Sequence, residues 1–304
     1  MKRVLLTGAS GFVGRHCLPA LLARGYEVHA LSSKAGVSVA PHTEPHWHQA
    51  DLLDAAQVSR LLEQVQPKHL LHCAWYAVPG KYWTSPENFR WLEASLHLFK
   101  TFAATGGKRA VGVGTCAEYD WRDGHCSEHV TPLAPTTVYG VCKHALQLML
   151  DTLAKQTGLS TAWGRLFFLY GPHEYEERLV ASIIRSILQE QPALCSHGEQ
   201  IRDFLYVQDA ADALVALLDS EVTGAVNIAS GVPLRLLELI MEIAAQLERP
   251  DLIQLGARPV ALSEPPLLVA DVGRLRNEVG WTPQHELTQG LIETIKWWKS
   301  QLTR

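Results

Sequence analysis

The sequence has no long hydrophobic run, no cluster of basic residues and no closely spaced cysteine pair. No segment approaches the roughly 20 consecutive apolar residues of a membrane-spanning helix. The first apolar run, Val4-Leu5-Leu6, ends at Thr7-Gly8 and is shorter than the roughly 7–15 apolar residues of a secretory signal. We therefore expect a cytoplasmic protein that has no membrane partner.

The charges are balanced and dispersed along the chain. Lysine and arginine number 27 and acidic residues 31, which gives a formal net charge of -4, and the basic residues form no runs. Binding to nucleic acid needs a basic surface that neutralises phosphates. The charge pattern therefore predicts no nucleic-acid partner.

The cysteines are few and far apart in the sequence. Structural zinc sites use closely spaced cysteine pairs, and small disulfide-stabilised domains use a dense set of cysteines. Neither pattern is present, so we expect no metal site and a reducing compartment. The six cysteines are Cys17, Cys73, Cys116, Cys126, Cys142 and Cys195.

The sequence does contain a regular alternation of short apolar runs with amphipathic stretches. At 304 residues, of which 47% are hydrophobic, the chain is long enough to bury a large core. Strand-like and helix-like segments in alternation predict a parallel sheet with helices on both faces. The predicted strands are 3–7, 27–31, 69–73, 110–114 and 160–168, and the predicted helices begin at Phe12 or cover 55–65, 89–104 and 138–157.

The alternation changes after Gly171-Pro172. The later segments are mainly helical and predict a smaller second lobe over the carboxyl edge of the sheet. We expect a first unit in residues 1–170, a substrate-binding lobe in residues 171–304, and a strand at 225–229 that returns to the first unit. The predicted helices of the second lobe are 179–189, 209–218, 234–247 and 287–302.

A glycine-rich stretch, TGASGFVG, lies between the first predicted strand and the first predicted helix. Glycines at this spacing allow a tight turn and let the pyrophosphate of a dinucleotide rest on the helix N-terminus. The pattern predicts an α/β fold with a Rossmann-type doubly wound parallel sheet; the alternative is a glycine-rich turn without a ligand. The cofactor-binding residues predicted from this turn are Gly8, Gly11, Phe12, Val13 and Gly14.

Two further segments bear on the cofactor. Asp51-Leu52 follows a predicted third strand and is placed to contact the adenine, or Asp51 caps a helix. A carboxylate at the end of the second strand would favour NAD, because it accepts bonds from the ribose hydroxyls and repels a 2′-phosphate. The second strand ends instead in Ser32, Ser33 and Lys34, without an acid. These side chains, with Arg15, favour NADP(H); NAD(H) is the alternative, with the segment as a solvated turn.

Tyr139 and Lys143 lie four residues apart in a predicted helix, in the stretch YGVCK, so their side chains share one face. With a reference pKa of about 10, tyrosine is a poor base at neutral pH, but a neighbouring ammonium lowers that pKa. The pair therefore predicts that Tyr139 is a general acid for a carbonyl or a base for a carbinol. The alternative is an ordinary pair of surface residues.

Taken together, these motifs resemble those of extended short-chain dehydrogenases/reductases of the NAD-dependent epimerase/dehydratase family. The resemblance covers nearly the whole chain. The stretches that carry it are TGASGFVG, LLHCAW at 70–75, GTCAEY at 114–119, Ser127-Glu128, YGVCK at 139–143, RLFFLYGP at 165–172, GEQIRDFLYVQDAADAL at 198–214, NIASG at 227–231 and GWTP at 280–283.

The resemblance implies roles for particular residues. Thr115 would share the substrate carbonyl with Tyr139, and Lys143 would bind the nicotinamide ribose. Ala74 would line the cofactor cleft, and Arg202 would grip the diphosphate of a nucleotide-linked sugar. Dimeric relatives pair the helices that correspond to 89–104 and 138–157, so the resemblance also implies a homodimer.

The sequence departs from its relatives beside Thr115. Cys116 and Ala117 follow it, where similar 4,6-dehydratases carry a carboxylate, so dehydration is disfavoured. The same comparison disfavours 3,5-epimerisation, which needs a cysteine two places after the hydroxyl. Phe168 stands where many relatives have an asparagine and suggests a less polar, deoxygenated sugar.

We therefore predict the NADPH-dependent reduction of a nucleotide-linked 4-keto(-6-deoxy) sugar to the 4-hydroxy sugar. The predicted catalytic residues are Thr115, Tyr139 and Lys143, and the substrate contacts are Thr115, Cys116, Phe168 and Arg202. An NAD-dependent nucleotide-sugar 4-epimerase would use the same catalytic residues. A non-catalytic dinucleotide-sensing protein is the alternative from another class, and the complete catalytic set argues against it.

Overall fold

The computed structural model describes residues 2–33, 45–260 and 264–303, and these residues form alternating strands and helices. The strands are β1 (Lys2–Thr7), β2 (Tyr26–Ser32), β3 (His46–Gln49), β4 (His69–His72), β5 (Arg109–Thr115), β6 (His125–Cys126), β7 (Ser160–Leu166), β8 (Phe168–Tyr170), β9 (Ala193–Leu194), β10 (Ile201–Arg202), β11 (Phe204–Tyr206), β12 (Gly224–Ile228), β13 (Leu234–Arg235), β14 (Ile253–Gln254) and β15 (Leu267–Ala270). The α-helices are α1 (Phe12–Ala23), α2 (Ala55–Val65), α3 (Glu87–Ala104), α4 (Val138–Thr157), α5 (Leu179–Leu188), α6 (Val207–Asp219), α7 (Leu236–Gln246), α8 (Gly273–Asn277) and α9 (Leu287–Leu302).

The central sheet has seven parallel strands in the order β12-β7-β5-β4-β1-β2-β3. From β1 the chain first adds strands on one side and then, from β4, on the other. The direction of winding therefore reverses beside β1, and a crevice opens there at the carboxyl ends of the strands. The sheet confirms the predicted doubly wound α/β fold.

Helices cover both faces of the sheet, as the alternation predicted. One face packs against α1 and α6, with Leu21 and Leu214 fully buried between helix and sheet. The opposite face packs against α2, α3 and α4, where Leu62, Phe99 and Leu146 are fully buried. Because both faces are covered, the strands are apolar on both sides, and all seven residues of β5 are buried.

A smaller mixed sheet, in the order β13-β10-β15-β6, forms the base of the second lobe. Helices α5, α7 and α9 pack together above a third apolar cluster that contains Ile184, Leu239 and Leu291. The strand β12 lies outside this lobe and pairs in parallel with β7 in the central sheet. The proposed division at residue 170 stays a prediction.

The predicted single strand at 160–168 is wrong, because the chain changes sheets at Phe167. The Phe167 amide still donates to the carbonyl of Ile228 in β12, at 3.3 Å. The next amide, that of Phe168, donates instead to the carbonyl of Asp203, at 3.2 Å, and begins β8 beside β11. An apolar run that crosses between two sheets has no signal of its own in the sequence.

None of the helices in the described part of the chain combines the length and the apolar character that crossing a membrane requires.

Replacing Gly14 by alanine tests the close approach of α1 to the first turn. A Cβ atom on Gly14 would overlap the carbonyl oxygen of Gly8, which is backbone and cannot turn away. We expect Gly14→Ala to lower the free energy of unfolding by about 1–3 kcal/mol in urea denaturation. The control is Gly273→Ala, whose Cβ would meet only the side chain of Asp271. Equal stability of the two variants would contradict the expectation.

Candidate active site

A cavity of about 850 Å³ runs along the carboxyl edge of the central sheet and reaches the second lobe. Apart from Arg15, which bonds the Ser10 carbonyl, every predicted cofactor, catalytic and substrate residue within the described part of the chain lines it. Lys34 lies outside the described residues. The lining residues among those predicted are Gly8, Gly11, Phe12, Val13, Gly14, Ser32, Ser33, Asp51, Leu52, Ala74, Thr115, Cys116, Tyr139, Lys143, Phe168 and Arg202.

The glycine-rich turn forms one end of this cavity. Gly8 has a φ of +67°, and a Cβ there would lie 2.8 Å from the backbone nitrogen of Ala74. The Gly11 amide donates to the Gly8 carbonyl at 2.8 Å, and α1 then begins at Phe12. No side chain of the described residues caps this helix, so its first-turn amides are available to an anion. The cradle fits the pyrophosphate of a dinucleotide.

Hydroxyl groups and a guanidinium surround the end of β2. The hydroxyls of Ser10 and Ser32 lie 3.1 Å apart, and Arg15 donates to the Ser10 carbonyl at 2.6 Å. Ser33 is exposed at the cavity. Arg15 also contacts the ring of His173 from the second lobe. A phosphate or ribose placed here would meet the serine hydroxyls and the guanidinium of Arg15.

Asp51 does not cap the helix that follows it. Its carboxylate accepts from the Leu53 amide at 2.9 Å, and the side chain of Asp54 caps α2 by accepting from the amides of Ala56 and Gln57. The capping alternative for Asp51 is therefore excluded. Its contact with adenine stays a prediction.

Thr115 and Tyr139 approach each other from two elements. Thr115 ends β5, and its hydroxyl accepts from the Ala117 amide at 3.2 Å. Tyr139 is in the first turn of α4, which the Thr137 side chain caps by accepting from the Gly140 amide. A hydrogen bond with Thr115 lowers the pKa of Tyr139, but the loss of hydration outweighs it.

The sequence-based expectation for the pKa of Tyr139 is wrong in this structure. Burial raises the pKa above the usual value, with the nearby Tyr82 adding to the rise, so the phenol keeps its proton at neutral pH. The ammonium of Lys143 is directed elsewhere, because it donates to the Val113 carbonyl at 2.7 Å and lies 3.9 Å from the centre of the Trp75 ring. In this arrangement the Tyr139 phenol is protonated and able to donate a hydrogen bond.

Lys143 is 3% exposed, and burial lowers its pKa to about 7, although the buried carboxylate of Glu118 favours the charged form. Trp75 is held over the ammonium because its indole nitrogen donates to the Asn88 side chain at 2.8 Å. The lysine therefore changes charge near neutral pH, and a ligand that accepts a hydrogen bond from it would favour the ammonium.

Aromatic side chains form the wall of the cavity around Tyr139. The rings of Tyr82 and Trp83 meet the Tyr139 ring edge to face, with centroids 4.9 Å and 5.8 Å away. Trp121 packs against Trp83 in the same way at 6.4 Å. The segment 75–83 is tied to α4 by the bond from the Tyr139 amide to the Trp83 carbonyl, at 3.2 Å. The reacting end of the cavity is consequently apolar.

Arg202 lies at the other end of the cavity and is 2% exposed. Its guanidinium donates to a carboxylate oxygen of Glu264 at 2.8 Å and lies 5.6 Å from the ring centre of Phe168. Glu264 also lines the cavity, and 38% of its side chain is exposed. The Glu264 carboxylate therefore competes with any anion that approaches Arg202.

Sequence reasoning missed three carboxyl groups in or behind the wall of the cavity. Glu174 and Glu264 line the cavity, and Glu118 is buried behind Thr115. Glu118 is fully buried three residues after Thr115, and its carboxylate accepts from the Thr115 amide at 2.8 Å. That position is the third residue of a capping box, a signal that the sequence does carry. Neither Glu174 nor Glu264 has a local signal, because distant segments create their surroundings.

A parallel sheet with a glycine cradle at its first turn, and a tyrosine, a lysine and a threonine on the same cavity, define a dinucleotide-dependent enzyme class. A model of the NAD dependent epimerase/dehydratase family matches residues 4–229. The chain belongs to this family, which confirms the resemblance drawn from the motifs.

Individual relatives of the chain carry out different reactions. UDP-glucuronic acid decarboxylase 1 of Xenopus tropicalis is 28% identical over 99% of this chain and 73% of its own length. The dTDP-glucose 4,6-dehydratase of Salmonella typhimurium is 22% identical over 97% of this chain and 92% of its own length. The UDP-N-acetylglucosamine 4-epimerase of Methanobrevibacter ruminantium superposes with a TM-score of 0.89 at 25% identity, covering 99% of both chains. The UDP-glucose 4-epimerase of Thermus thermophilus, solved with NAD, superposes with a TM-score of 0.84 at 25% identity, covering 98% of this chain and 99% of its own.

The shifted pKa of Lys143 predicts a pH-dependent stability of the ligand-free protein. Between pH 7 and 10.5 the unfolded chain, with an ordinary lysine, binds more protons than the folded chain. Stability contributed by this residue therefore rises with pH across that window. Lys143→Met removes the contribution, so the stability of the wild type relative to this variant should increase from pH 7 to pH 9 in urea denaturation.

The matched control for this measurement is Lys155→Met on the exposed side of the same helix. Its stability should differ from that of the wild type by a constant amount at each pH. A constant difference for Lys143→Met as well would contradict the lowered pKa of the buried lysine.

Proposed function

We propose that the protein reduces the C4 ketone of a nucleotide-linked 4-keto(-6-deoxy) sugar with a hydride from NADPH. The observation that carries the proposal is that Thr115, Tyr139 and Lys143 line the same cavity as the glycine cradle. Tyr139 keeps its proton because burial raises its pKa, which suits a group that must donate to a carbonyl oxygen.

In the proposed reaction, NADPH held at the glycine cradle and Lys143 would supply the hydride for the carbonyl carbon. Tyr139 donates its phenolic proton to the carbonyl oxygen, so the ketone becomes a secondary alcohol and the tyrosine a phenolate. The Thr115 hydroxyl donates a hydrogen bond to the same oxygen. Lys143 holds the ribose hydroxyls and, as an ammonium, stabilises the phenolate until solvent returns the proton.

The surroundings of Thr115 support simple reduction over dehydration. Cys116 and Ala117 follow it, and burial raises the pKa of the Cys116 thiol, so neither residue supplies a carboxylate or a thiolate to move protons on neighbouring carbons. The nearby Glu118 carboxylate is fully buried, pairs with Arg165 and does not line the cavity. The aromatic wall of Tyr82, Trp83 and Trp121 offers apolar surface to the sugar. Such a wall suits a deoxygenated sugar better than one with a full set of hydroxyls.

The diphosphate of the substrate would bind at Arg202, whose guanidinium is suited to forked contacts with phosphate oxygens. Arg258, which also lines this end of the cavity, is a second cation for it. The carboxylate of Glu264 must leave Arg202 when the diphosphate enters, and its exposure allows it to return to water.

We further propose a homodimer formed through α3 and α4. These helices pack side by side and expose large apolar side chains, among them Phe89 at 54% and Leu148 at 52%. Val141 and Met149 add to this surface on α4. Exposed apolar groups on adjacent helices are typical of an interaction surface.

The second candidate function is an NAD-dependent nucleotide-sugar 4-epimerase. The observation that favours it is the close superposition on solved 4-epimerases, one of which was solved with NAD. An epimerase oxidises and re-reduces C4 on a retained cofactor and consumes none, whereas the reductase consumes one NADPH for each turnover.

Cofactor preference distinguishes the two candidates directly. We expect the purified protein to be free of cofactor and to bind NADPH at least about tenfold more tightly than NADH in fluorescence titration, through Ser32, Ser33 and Lys34. Ser33→Asp should reverse the preference by repelling the 2′-phosphate, and Ser33→Ala serves as its control. Copurified NAD that does not exchange would favour the epimerase.

Replacing Tyr139 by phenylalanine tests the proton donor. We expect Tyr139→Phe to lower kcat for reduction of a dTDP-linked or UDP-linked 4-keto-6-deoxyglucose at least about 100-fold, with NADPH affinity within twofold of the wild type. The control is Tyr175→Phe, since Tyr175 is 49% exposed at the rim of the cavity. A Tyr139→Phe variant with the wild-type rate would refute the assigned role.

A further inference from the structure

We infer that Glu174 is a ligand-binding group of the cavity that accepts a hydrogen bond from an O–H or N–H donor on the sugar of the bound nucleotide sugar. The inference rests on the proposed function in one respect, namely that the cavity takes a nucleotide-linked sugar. No step of the proposed reduction uses this residue.

The carboxyl group of Glu174 is buried at the cavity without a full set of partners. The residue is 7% exposed and contributes to the lining. Its Oε2 atom is inaccessible to water and has no hydrogen-bond partner among the described residues. Buried carboxyl oxygens in native proteins are nearly always paired, because an unpaired one loses its hydration without compensation. Because this unpaired oxygen belongs to a residue that lines a binding cavity, a donor on a ligand could supply the missing hydrogen bond.

The backbone around Glu174 holds the residue in this position. His173 has a φ of +69°, and the Glu174 amide donates to the Gly171 carbonyl at 3.2 Å, so the chain turns sharply into the cavity wall. The first turn of α5 lies against the carboxyl group, where the Ala181 amide favours the charged form. The group is thus oriented by backbone on both sides.

The nearest cation does not neutralise Glu174. Arg178 interacts with it through space, but the guanidinium lies over the Tyr82 ring, 5.4 Å from its centre, and bonds the Tyr82 hydroxyl. Burial outweighs both Arg178 and the Ala181 amide and raises the pKa of Glu174 to about 8. A further hydrogen-bond donor, supplied by a ligand, would therefore stabilise the carboxyl group.

A ligand donor reaches the group only when the carboxyl plane turns, because Oε2 is covered in this conformation. The torsion that turns this plane is broad in energy, so the turn needs no change in the other side-chain torsions. A hydroxyl would pair with either protonation state, whereas an ammonium would favour the carboxylate. A ligand without a donor at this point would leave the oxygen unpaired and bind more weakly.

The experiment compares the affinities of UDP-glucose and UDP, and of dTDP-glucose and dTDP, for the wild type, Glu174→Leu and Glu174→Gln, by calorimetry. We expect Glu174→Leu to weaken binding of the sugar nucleotide by about tenfold to a hundredfold and to leave the affinity for the free nucleoside diphosphate unchanged. Glu174→Gln keeps an acceptor oxygen and should lose less than tenfold.

A further titration with UDP-glucosamine distinguishes the two kinds of donor. Tighter binding of UDP-glucosamine than of UDP-glucose by the wild type, lost in Glu174→Gln, identifies an ammonium partner. Equal loss of both sugars in Glu174→Leu, with Glu174→Gln retaining both, identifies a hydroxyl. Either result supports the inference.

The matched control is Glu177→Leu, which removes an exposed carboxylate three residues away that does not line the cavity. Its affinities should equal those of the wild type. Glu174→Leu also removes the acceptor of the Ala181 amide, so thermal melting of each variant is used to confirm that it is folded at the temperature of the titration.

The outcomes separate failure of the inference from failure of the proposed function. A wild type that prefers sugar nucleotides, together with a Glu174→Leu variant that binds them equally well, overturns the inference alone. Equal weakening of sugar nucleotide and nucleoside diphosphate also overturns it and indicates a structural role. A wild type that does not prefer sugar nucleotides overturns the proposed function, and the inference with it.

Discussion

The buried ion pair between Glu118 and Arg165 is the interaction on which the Thr115–Tyr139 end of the cavity depends. Their side chains are 0% and 1% exposed, and their charged atoms lie 2.8 Å apart. Glu118 also accepts from the Thr115 amide, and Arg165 donates to Gln147, so the pair joins β5, β7 and α4. Removing one partner of such a pair leaves a buried charge and costs about 3–5 kcal/mol. The elements that present Thr115 and Tyr139 are therefore held together by charge beneath the apolar wall.

A second buried carboxylate connects the substrate end of the cavity to the sheet. Asp203 is fully buried and accepts from the amides of Ser230, Gly231 and Ala270, which follow β12 or lie in β15. The Asp203 side chain thus links the central sheet to the small mixed sheet, and Asp203 follows Arg202 in the sequence. The cavity lies between two parts whose relative position is set by hydrogen bonds to charged groups, which are stronger than those between neutral groups.

Local periodicity predicted the helices better than it predicted the site. The ends of α2, α4 and α9 agree with the prediction, and the spacing of Tyr139 and Lys143 placed both on one helix that lines the cavity. The direction of the Lys143 ammonium could not be predicted, because Trp75 comes from a segment more than sixty residues away in the chain. The burial of Glu174 and the partner of Arg202 depend in the same way on contacts between distant segments. Such contacts have no local signal in the sequence. The identity of many cavity side chains was therefore predictable, but their partners and pKa values were not.

The ion pair of Arg202 with Glu264 means that this arginine carries its own counterion. A carboxylate on the same chain competes at a high effective concentration, which inorganic phosphate or sulfate at ordinary concentrations does not match. A ligand anchored elsewhere in the cavity displaces the carboxylate more easily, since its other contacts contribute to the exchange, and Glu264 is 38% exposed and close to water when it leaves. The pair would thus favour anions that make further contacts in the cavity over small anions that bring only their charge.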